Sequence, residues 1–250
     1  MPAKKPAARS TSQPAARAKS PRKAAQSKPP AKSRRAEDPV ALKQRVAKIV
    51  RQLAKDYGDA ECALHHTSAF ELLVATILSA QCTDERVNMV TPGLFQQFPT
   101  PAAFAAAPVE KIEKAIQSTG FFRNKAKSIK ACSTSLVEKY DGEVPRELDQ
   151  MVELAGVGRK TANVVLGVAY GKATGVVVDT HVGRLSRRLG LTTNDDPVKV
   201  EADLMRLLPQ NQWIDFAHRL IHHGRRVCHA RKPKCDACTL ANLCPKIGIA

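Results

Sequence analysis

The chain has 250 residues, of which 43% are hydrophobic, and this is enough for one large or two small domains with an apolar core. Its formal net charge of +17 favours a nucleic-acid partner, and its seven cysteines, an odd number, argue against a disulfide framework. It has no uncharged apolar run of about 18 residues and no signal-peptide core near Met1, so we expect no transmembrane helix and an intracellular protein. We favour the bacterial cytoplasm, with association to the nucleoid, and leave a nucleus or organelle open.

Residues 1–36 differ from the rest of the chain in composition. They contain eleven Lys or Arg and no Asp or Glu, so they carry eleven of the seventeen net charges and leave six for the remainder. No Val, Leu, Ile, Phe, Tyr or Trp precedes Val40, so this segment cannot bury enough apolar surface to fold. We therefore expect a disordered basic tail. Its charge would hold the protein near nucleic acid through counterion release, unless it is a solvated arm without that role.

The rest of the chain is predicted to be a succession of helices. In the first, apolar residues recur at three- and four-residue steps after the pair Asp38-Pro39, which suits a helix start. The one β-like run, Gly175–Asp179, is too short and isolated to found a sheet. The fold class is therefore all-α, with about ten helices over roughly 38–58, 68–80, 84–97, 108–118, 123–139, 146–154, 159–170, 180–189, 196–208 and 211–226.

The stretch LAGVGRKTA, from Leu154 to Ala162, joins two of these helices. Gly156 and Gly158 allow a tight turn or a close approach to another molecule, because without a Cβ they accept positive φ at little cost. In such a hairpin the backbone N–H groups that start the second helix can bind a phosphate. An ordinary helix–helix turn needs glycine for the same steric reason, but the Arg159 and Lys160 that follow favour nucleic-acid binding.

Two residues near this hairpin are candidates for catalysis. Lys160 lies in the first turn of its helix, where the positive helix end disfavours the ammonium form, and a neutral amine can form a Schiff base at a sugar carbon. Its alternative role is a phosphate contact or a solvated charge. Asp179 precedes a predicted helix and suits an N-cap, and a carboxylate fixed there could also stabilise positive charge on a sugar.

Four cysteines near the C-terminus, Cys228, Cys235, Cys238 and Cys244, follow the spacing C-x6-C-x2-C-x5-C. Structural zinc usually takes two close pairs, whereas this uneven spacing suits a four-iron cluster better. The loop HARKPK between the first two would then be ordered by the metal, and its cations could meet phosphates unless the loop is merely solvated: Arg231, Lys232 and Lys234. The other cysteines are predicted to be small buried hydrophobes: Cys62, Cys82 and Cys132.

Taken together, these motifs resemble the endonuclease III family, the bifunctional DNA glycosylase/AP lyases of base-excision repair. The resemblance rests on ELLVATILSAQCTD (Glu71–Asp84), LAGVGRKTANVVLG (Leu154–Gly167), VVVDTHVGRLSRR (Val176–Arg188) and the cysteine spacing. It covers about residues 38–250 and leaves the basic tail outside.

This resemblance implies a two-lobed helix-hairpin-helix DNA glycosylase fold. Residues 61–174 would form a six-helix barrel lobe that contains the hairpin. Residues 37–60 would pack with residues 175–250 in a second lobe that carries a [4Fe–4S] cluster. Double-stranded DNA with a damaged pyrimidine or an abasic site would bind between the lobes of a monomer, and an oxidised or ring-saturated pyrimidine would be flipped out of the stack.

The resemblance also implies roles for particular residues. Lys160 would attack the sugar C1′, expel the base and form a Schiff base that permits β-elimination, with Asp179 assisting. Gln81 would fill the gap left by the flipped base, and Phe121 would act as an apolar wedge. The sequence departs from the family pattern in having Ala155 where proline is common and Phe121 where leucine is usual.

Two alternatives stay open at this point. An adenine glycosylase of the same superfamily generally lacks the lysine nucleophile, whereas Lys160 is present here. A non-enzymatic DNA-binding protein would use the hairpin and a zinc site as grips and the tail as a tether.

Overall fold

The computed structural model describes residues 37–249, and the expected disorder of residues 1–36 concerns a segment outside this range. The described residues contain eleven α-helices and no strand, which confirms the all-α class. None of these helices is long and apolar enough to cross a membrane. The helices are α1 (Pro39–Asp56), α2 (Ala69–Leu78), α3 (Asp84–Gln97), α4 (Pro101–Ala106), α5 (Val109–Ile116), α6 (Phe122–Lys139), α7 (Leu148–Val152), α8 (Arg159–Tyr170), α9 (Thr180–Arg188), α10 (Pro197–Leu207) and α11 (Trp213–Arg226).

Side-chain caps explain where several helices begin. Asp38 accepts hydrogen bonds from Val40 N and Ala41 N at the start of α1, so the predicted Asp-Pro helix start is confirmed. Ser68, Thr83, Thr100, Asp179 and Asp196 cap α2, α3, α4, α9 and α10 in the same way. Each such cap satisfies a backbone N–H that the helix leaves free, and stabilises the fold by about 1 kcal/mol.

Helix α4 was not among the predicted elements. Its six residues, PAAFAA, carry one large apolar side chain, so no helical period is visible in the sequence. Phe104 is nevertheless fully buried and packs against Phe70 and Phe98, with ring centroids 5.6 and 5.1 Å away. Tertiary packing therefore stabilises a helix that its own sequence does not announce.

Two separate clusters of buried apolar side chains form the interior. The first lies among α2 to α8 and includes Leu72, Phe104 and Ile129. The second joins α1 to α9, α10 and α11 and includes Ile49 and Phe216. Full burial of one such side chain stabilises the fold by about 1.5–3 kcal/mol. Along the chain, α1 belongs to the second core, α2 to α8 form the first core, and α9 to α11 complete the second.

Candidate active site

A cleft with a volume of about 310 Å³ opens where the two cores meet. Lys160 and Asp179 line it together with residues of α11, and the opposite wall comes from the α1–α2 connection and the end of α2, including Gln81. This volume, with mixed polar and apolar walls, is typical of a ligand site. The structure therefore brings three of the predicted site residues into one cleft. Its polar lining also includes Glu61, Thr76, Ser79, Asp84, Thr161, His218, His222 and Arg225.

The turn between α7 and α8 places Lys160 at this cleft. Gly156 has a φ of +78°, and a Cβ there would lie 2.7 Å from Ser128 Cβ, so the turn requires glycine. At Gly158 the φ is −88° and no heavy atom lies within 4 Å of an added Cβ, so of the two predicted roles the turn itself does not require this glycine. No side chain caps α8 at this position. The first-turn N–H groups beside Lys160 are thus free for an anion.

Asp179 ends the extended segment that starts at Gly175, and it caps α9. Its Oδ1 accepts a hydrogen bond from Val182 N at 2.7 Å, as the sequence predicts for an N-cap. This bond fixes the half-buried carboxylate while the side chain still lines the cleft. The same residue therefore stabilises a helix and presents a fixed acidic group to the site of Lys160.

A buried glutamate that was not predicted from the sequence connects helix α8 with the segment that leads to Asp179. Glu201 in α10 accepts hydrogen bonds from Arg159 Nε at 3.0 Å and from Asn163 Nδ2 at 2.8 Å, both in α8. Asn163 Oδ1 in turn accepts from Thr174 Oγ1 at 2.9 Å, just before the segment that carries Asp179. The predicted DNA contact Arg159 is thus held in an ion pair rather than left free. In the sequence, Glu201 looks like an ordinary charged residue of an amphipathic helix, so its burial was not predictable.

We expect Gly175→Ala to disturb this network. An added Cβ would lie 1.9 Å from Glu201 Oε1 and 2.6 Å from Asn163 Nδ2, so the segment leading to Asp179 must shift. Overpacking of this kind destabilises by about 1–3 kcal/mol, and it should lower the turnover number as well. Urea denaturation and single-turnover kinetics measure the two effects. Gly183→Ala is the control, because its Cβ would make only an ordinary contact with Val178 Cγ1 at 3.8 Å.

The structure holds Gln81 and Phe121 in unusual backbone conformations. Their φ angles are 53° and 49°, in the left-handed region that non-glycine residues seldom occupy. Phe121 is 64% exposed although it is a large apolar residue, and Gln81 is exposed at the rim of the cleft. Strained, exposed residues of this kind cluster at functional sites. No sequence pattern announces the positive φ of either residue.

Helix α11 supplies the remaining polar wall of the cleft. Arg225 Nη2 lies 2.6 Å from Asp84 Oδ2 at the start of α3, and this ion pair links the two sides of the cleft. Burial lowers the pKa of His218, so its imidazole is neutral near pH 7 and can act as a hydrogen-bond donor and acceptor. Neither residue was singled out from the sequence.

The four C-terminal cysteines surround one cavity, together with Arg188 and His223. Arg188 Nη1 donates to Cys228 Sγ at 3.2 Å, and Lys246 N donates to Cys244 Sγ at 3.3 Å. Burial raises the pKa of the Cys238 and Cys244 thiols, so their thiolate forms need a compensating positive charge, which a metal centre supplies. The donor set, the cavity and the N–H groups aimed at sulfur fit an iron–sulfur cluster.

A single metal ion fits this arrangement less well. Tetrahedral zinc with Zn–S bonds of about 2.3 Å would draw its sulfur ligands together around one point. Structural zinc usually takes two close pairs, whereas here one close pair, Cys235 and Cys238, is flanked by two single cysteines. The cysteines instead line the wall of a common cavity, as a multi-iron cluster requires.

The basic loop between Cys228 and Cys235 is held by the same arginine that contacts Cys228. Arg188 is 8% exposed and donates to His229 O and to Ala230 O, both at 2.7 Å. The three cations of this loop are exposed, and none of them forms an ion pair with a carboxylate of residues 37–249: Arg231, Lys232 and Lys234. The loop is therefore ordered with its positive charge available.

The other three cysteines differ in burial. Cys132 is 2% exposed, and burial raises its pKa to about 12, as expected for a small core residue. Cys62 and Cys82 pack against the first core but are only half-buried, and Cys62 also lines the cleft, so the prediction that they are small buried hydrophobes is met only in part. Both lie in the turns that flank α2, where the chain leaves the core.

Comparisons with known proteins agree with this geometry. Residues 74–210 match the family described as HhH-GPD superfamily base excision DNA repair protein, and residues 228–244 match the iron-sulfur binding domain of endonuclease III. Endonuclease III of Synechocystis sp. is 56% identical over 203 residues, which cover 81% of this chain and 93% of that protein. Endonuclease III of Bacillus subtilis is 50% identical over 189 residues, with 75% and 86% covered.

A solved structure described as a trapped endonuclease III–DNA covalent intermediate superposes with a TM-score of 0.78 at 46% identity. The match covers 82% of this chain and 96% of the solved one. Identity of this degree over most of both chains shows that they share a fold.

Proposed function

Because this chain belongs to the endonuclease III family of the HhH-GPD base-excision repair superfamily, we propose that Lys160 is its nucleophile and Asp179 its catalytic carboxylate. The protein is a DNA-binding bifunctional DNA glycosylase and AP lyase with a [4Fe–4S] cluster. The observation that carries the residue assignment is that Lys160 and Asp179, from different helices, line one cleft beside uncapped backbone N–H groups.

The reaction follows from these two groups. The Lys160 amine attacks C1′ of the flipped nucleotide, the C1′–N bond breaks, and the base leaves with the bonding electrons and takes up a proton from the lysine nitrogen. The C1′–O4′ bond then breaks as the nitrogen lone pair forms the C1′=N bond, O4′ takes up a proton from solvent, and the open-chain Schiff base results. This Schiff base loses a proton from C2′, and the C3′–O bond breaks, so that the downstream strand leaves with a 5′-phosphate. Water finally frees Lys160. The Asp179 carboxylate, held by Val182 N, stabilises the positive charge that develops on the sugar and the imine.

Oxidised or ring-saturated pyrimidines are the proposed substrates. A base must leave the duplex before Lys160 can reach its sugar carbon, and a damaged base that stacks poorly costs less to extrude. Several side chains that line the cleft can form hydrogen bonds with such a base, among them the neutral imidazole of His218 and the hydroxyls of Thr76 and Ser79.

A strand-cleavage assay tests this substrate class. Duplexes that contain thymine glycol should be cut, whereas a duplex with adenine opposite 8-oxoguanine should not. Base removal from the second duplex alone, detected as strand breaks after alkali treatment, would replace the proposed class by that of an adenine glycosylase. We further propose that a monomer acts on the bacterial chromosome, in keeping with the bacterial relatives.

The proposed grip on the DNA backbone predicts opposite outcomes for the two hairpin glycines. Gly158→Ala should leave the free energy of unfolding within about 1 kcal/mol, because its φ is ordinary and the space is open. Its methyl group would keep a phosphate away from the α8 N–H groups and weaken binding to an abasic duplex about tenfold. Gly156→Ala should instead destabilise by about 1–3 kcal/mol, because it is strained and meets Ser128.

Fluorescence anisotropy of a labelled duplex and chemical denaturation separate these outcomes. Unchanged DNA affinity in the Gly158→Ala protein would show that the α8 terminus does not contact the backbone.

A further inference from the structure

Lys125 in α6 is a buried lysine that the proposed reaction does not use. It is 5% exposed, and none of the ion pairs formed by residues 37–249 involves it. Burial lowers its pKa because the ammonium loses its hydration. A cation in such a place is costly unless hydrogen bonds satisfy it, so its partners should explain why it is there.

Those partners are two backbone carbonyls from segments distant in the chain. Lys125 Nζ donates to Leu78 O at 2.7 Å and to Thr119 O at 2.8 Å. Leu78 is the last residue of α2, where the helix leaves its carbonyls free and negatively polarised. Thr119 ends a short 3₁₀ turn before α6. The Lys125 ammonium therefore connects the end of α2 to the end of the 3₁₀ turn through two uncharged carbonyl groups.

The two segments lead directly to the proposed DNA-inserting residues. Gln81 follows Leu78 by three positions, and Phe121 follows Thr119 by two. Both have left-handed backbone conformations, which cost free energy and persist only where the surroundings impose them. Lys125 also donates its own backbone N–H to Phe121 O at 3.1 Å. Lys125 thus contacts the backbone of both segments, the one that leads to Gln81 and the one that leads to Phe121.

We propose that Lys125 is a positioning residue that fixes the Gln81 and Phe121 loops relative to each other, so that both side chains enter the duplex together when the target nucleotide leaves the stack. This inference rests on the proposed DNA-inserting roles of Gln81 and Phe121. Partial unstacking of a base step costs a few kcal/mol, so a wedge works only if its two parts are held in register. An ammonium bonded to both loops supplies that rigidity without contacting DNA.

Lys125→Met tests the proposal, with Lys130→Met as a matched control. Lys130 lies on the same helix, and its Nζ likewise donates to two carbonyls, Ala105 O at 2.5 Å and Ala107 O at 2.6 Å, but these lead to neither loop. The two variants remove the same kind of contact and should cost similar stability. Only the first should affect insertion into DNA.

The measurement is the rate of borohydride trapping on an abasic site, in a duplex and in the same strand alone. A single strand has no opposite base and no gap to fill. We expect Lys125→Met to lower the duplex rate between about 10- and 100-fold while the single-strand rate stays within about twofold. Lys130→Met should change both rates equally. Equal loss on both substrates for Lys125→Met, or no loss on either, overturns the proposal.

Two further variants keep the test decisive. If Lys125→Met does not fold, Lys125→Gln retains an uncharged NH2 donor on a shorter side chain and should show the same selective loss, smaller in size. In a Gln81→Ala/Phe121→Ala background, Lys125→Met should cause no additional duplex loss, and an additional loss would mean that it acts elsewhere. Failure of the proposed function is distinguishable, because wild-type protein would then trap neither substrate.

Discussion

Lys160→Ala is expected to abolish strand cleavage at abasic sites, with a fall in single-turnover rate of at least about 10³-fold. The reason is that β-elimination depends on a Schiff base and Lys160 is the one lysine among the described residues that line the cleft. Removal of a covalent nucleophile has effects of this size or larger. The fold should be kept, because Lys160 is exposed and forms no ion pair within residues 37–249. DNA affinity should fall by no more than the loss of one cation explains. Quenched-flow cleavage and anisotropy titrations measure the two quantities.

Lys172→Ala is the control for general loss of positive charge. Lys172 follows the C-terminal end of the same helix, and its Nζ lies 2.6 Å from Glu147 Oε1 in an exposed ion pair. Such a pair contributes little, about 0–1 kcal/mol. Cleavage by the Lys172→Ala protein should therefore match that of wild type. Residual cleavage above about one tenth of wild type in Lys160→Ala would assign the nucleophile to another amine.

Asp179→Asn should be the second most damaging substitution, with cleavage slowed about 10²–10⁴-fold. Asparagine is as good an N-cap as aspartate, so α9 and the bond to Val182 N are kept while the negative charge is lost. The free energy of unfolding should stay within about 0.5 kcal/mol of wild type. Thermal or urea denaturation beside single-turnover kinetics separates the lost charge from lost structure.

Asp179→Ala completes this comparison. It removes both the cap and the carboxylate, so it should be as slow as Asp179→Asn and also less stable by about 0.5–2 kcal/mol. If Asp179→Asn cleaves as fast as wild type while Asp179→Ala is slow, the residue would act as a cap alone.

The motifs that carry chemistry were visible in the sequence because each depends on local residue types. Asp179 was predicted as an N-cap from the three valines before it and the helical pattern after it, and Val182 N confirms the cap. The cysteine spacing favoured an iron–sulfur cluster, and the match of residues 228–244 confirms that assignment. Gly156 was predicted to allow a tight turn or a close approach, and its φ of +78° confirms the turn.

Residues that act through tertiary contacts were not predictable in this way. Lys125 and Glu201 resemble surface charges of amphipathic helices in the sequence, and only the packing of α6 and α10 buries them. Gly158 looks equivalent to Gly156 in the sequence, but the structure gives it an extended conformation with open space beside it. A side chain at this position would therefore fill that space without straining the turn. The short helix α4 was missed because burial of Phe104, rather than a periodic pattern, stabilises it.

Identification of the covalently modified residue tests the central claim most directly. Protein and a thymine-glycol duplex are incubated with borohydride, the adduct is digested, and the DNA-linked peptide is sequenced by mass spectrometry. The adduct should map to the side chain of Lys160, the second residue of α8. An adduct on any other amine, or none from cluster-loaded protein that still binds the duplex, would contradict the assignment of Lys160 as the nucleophile.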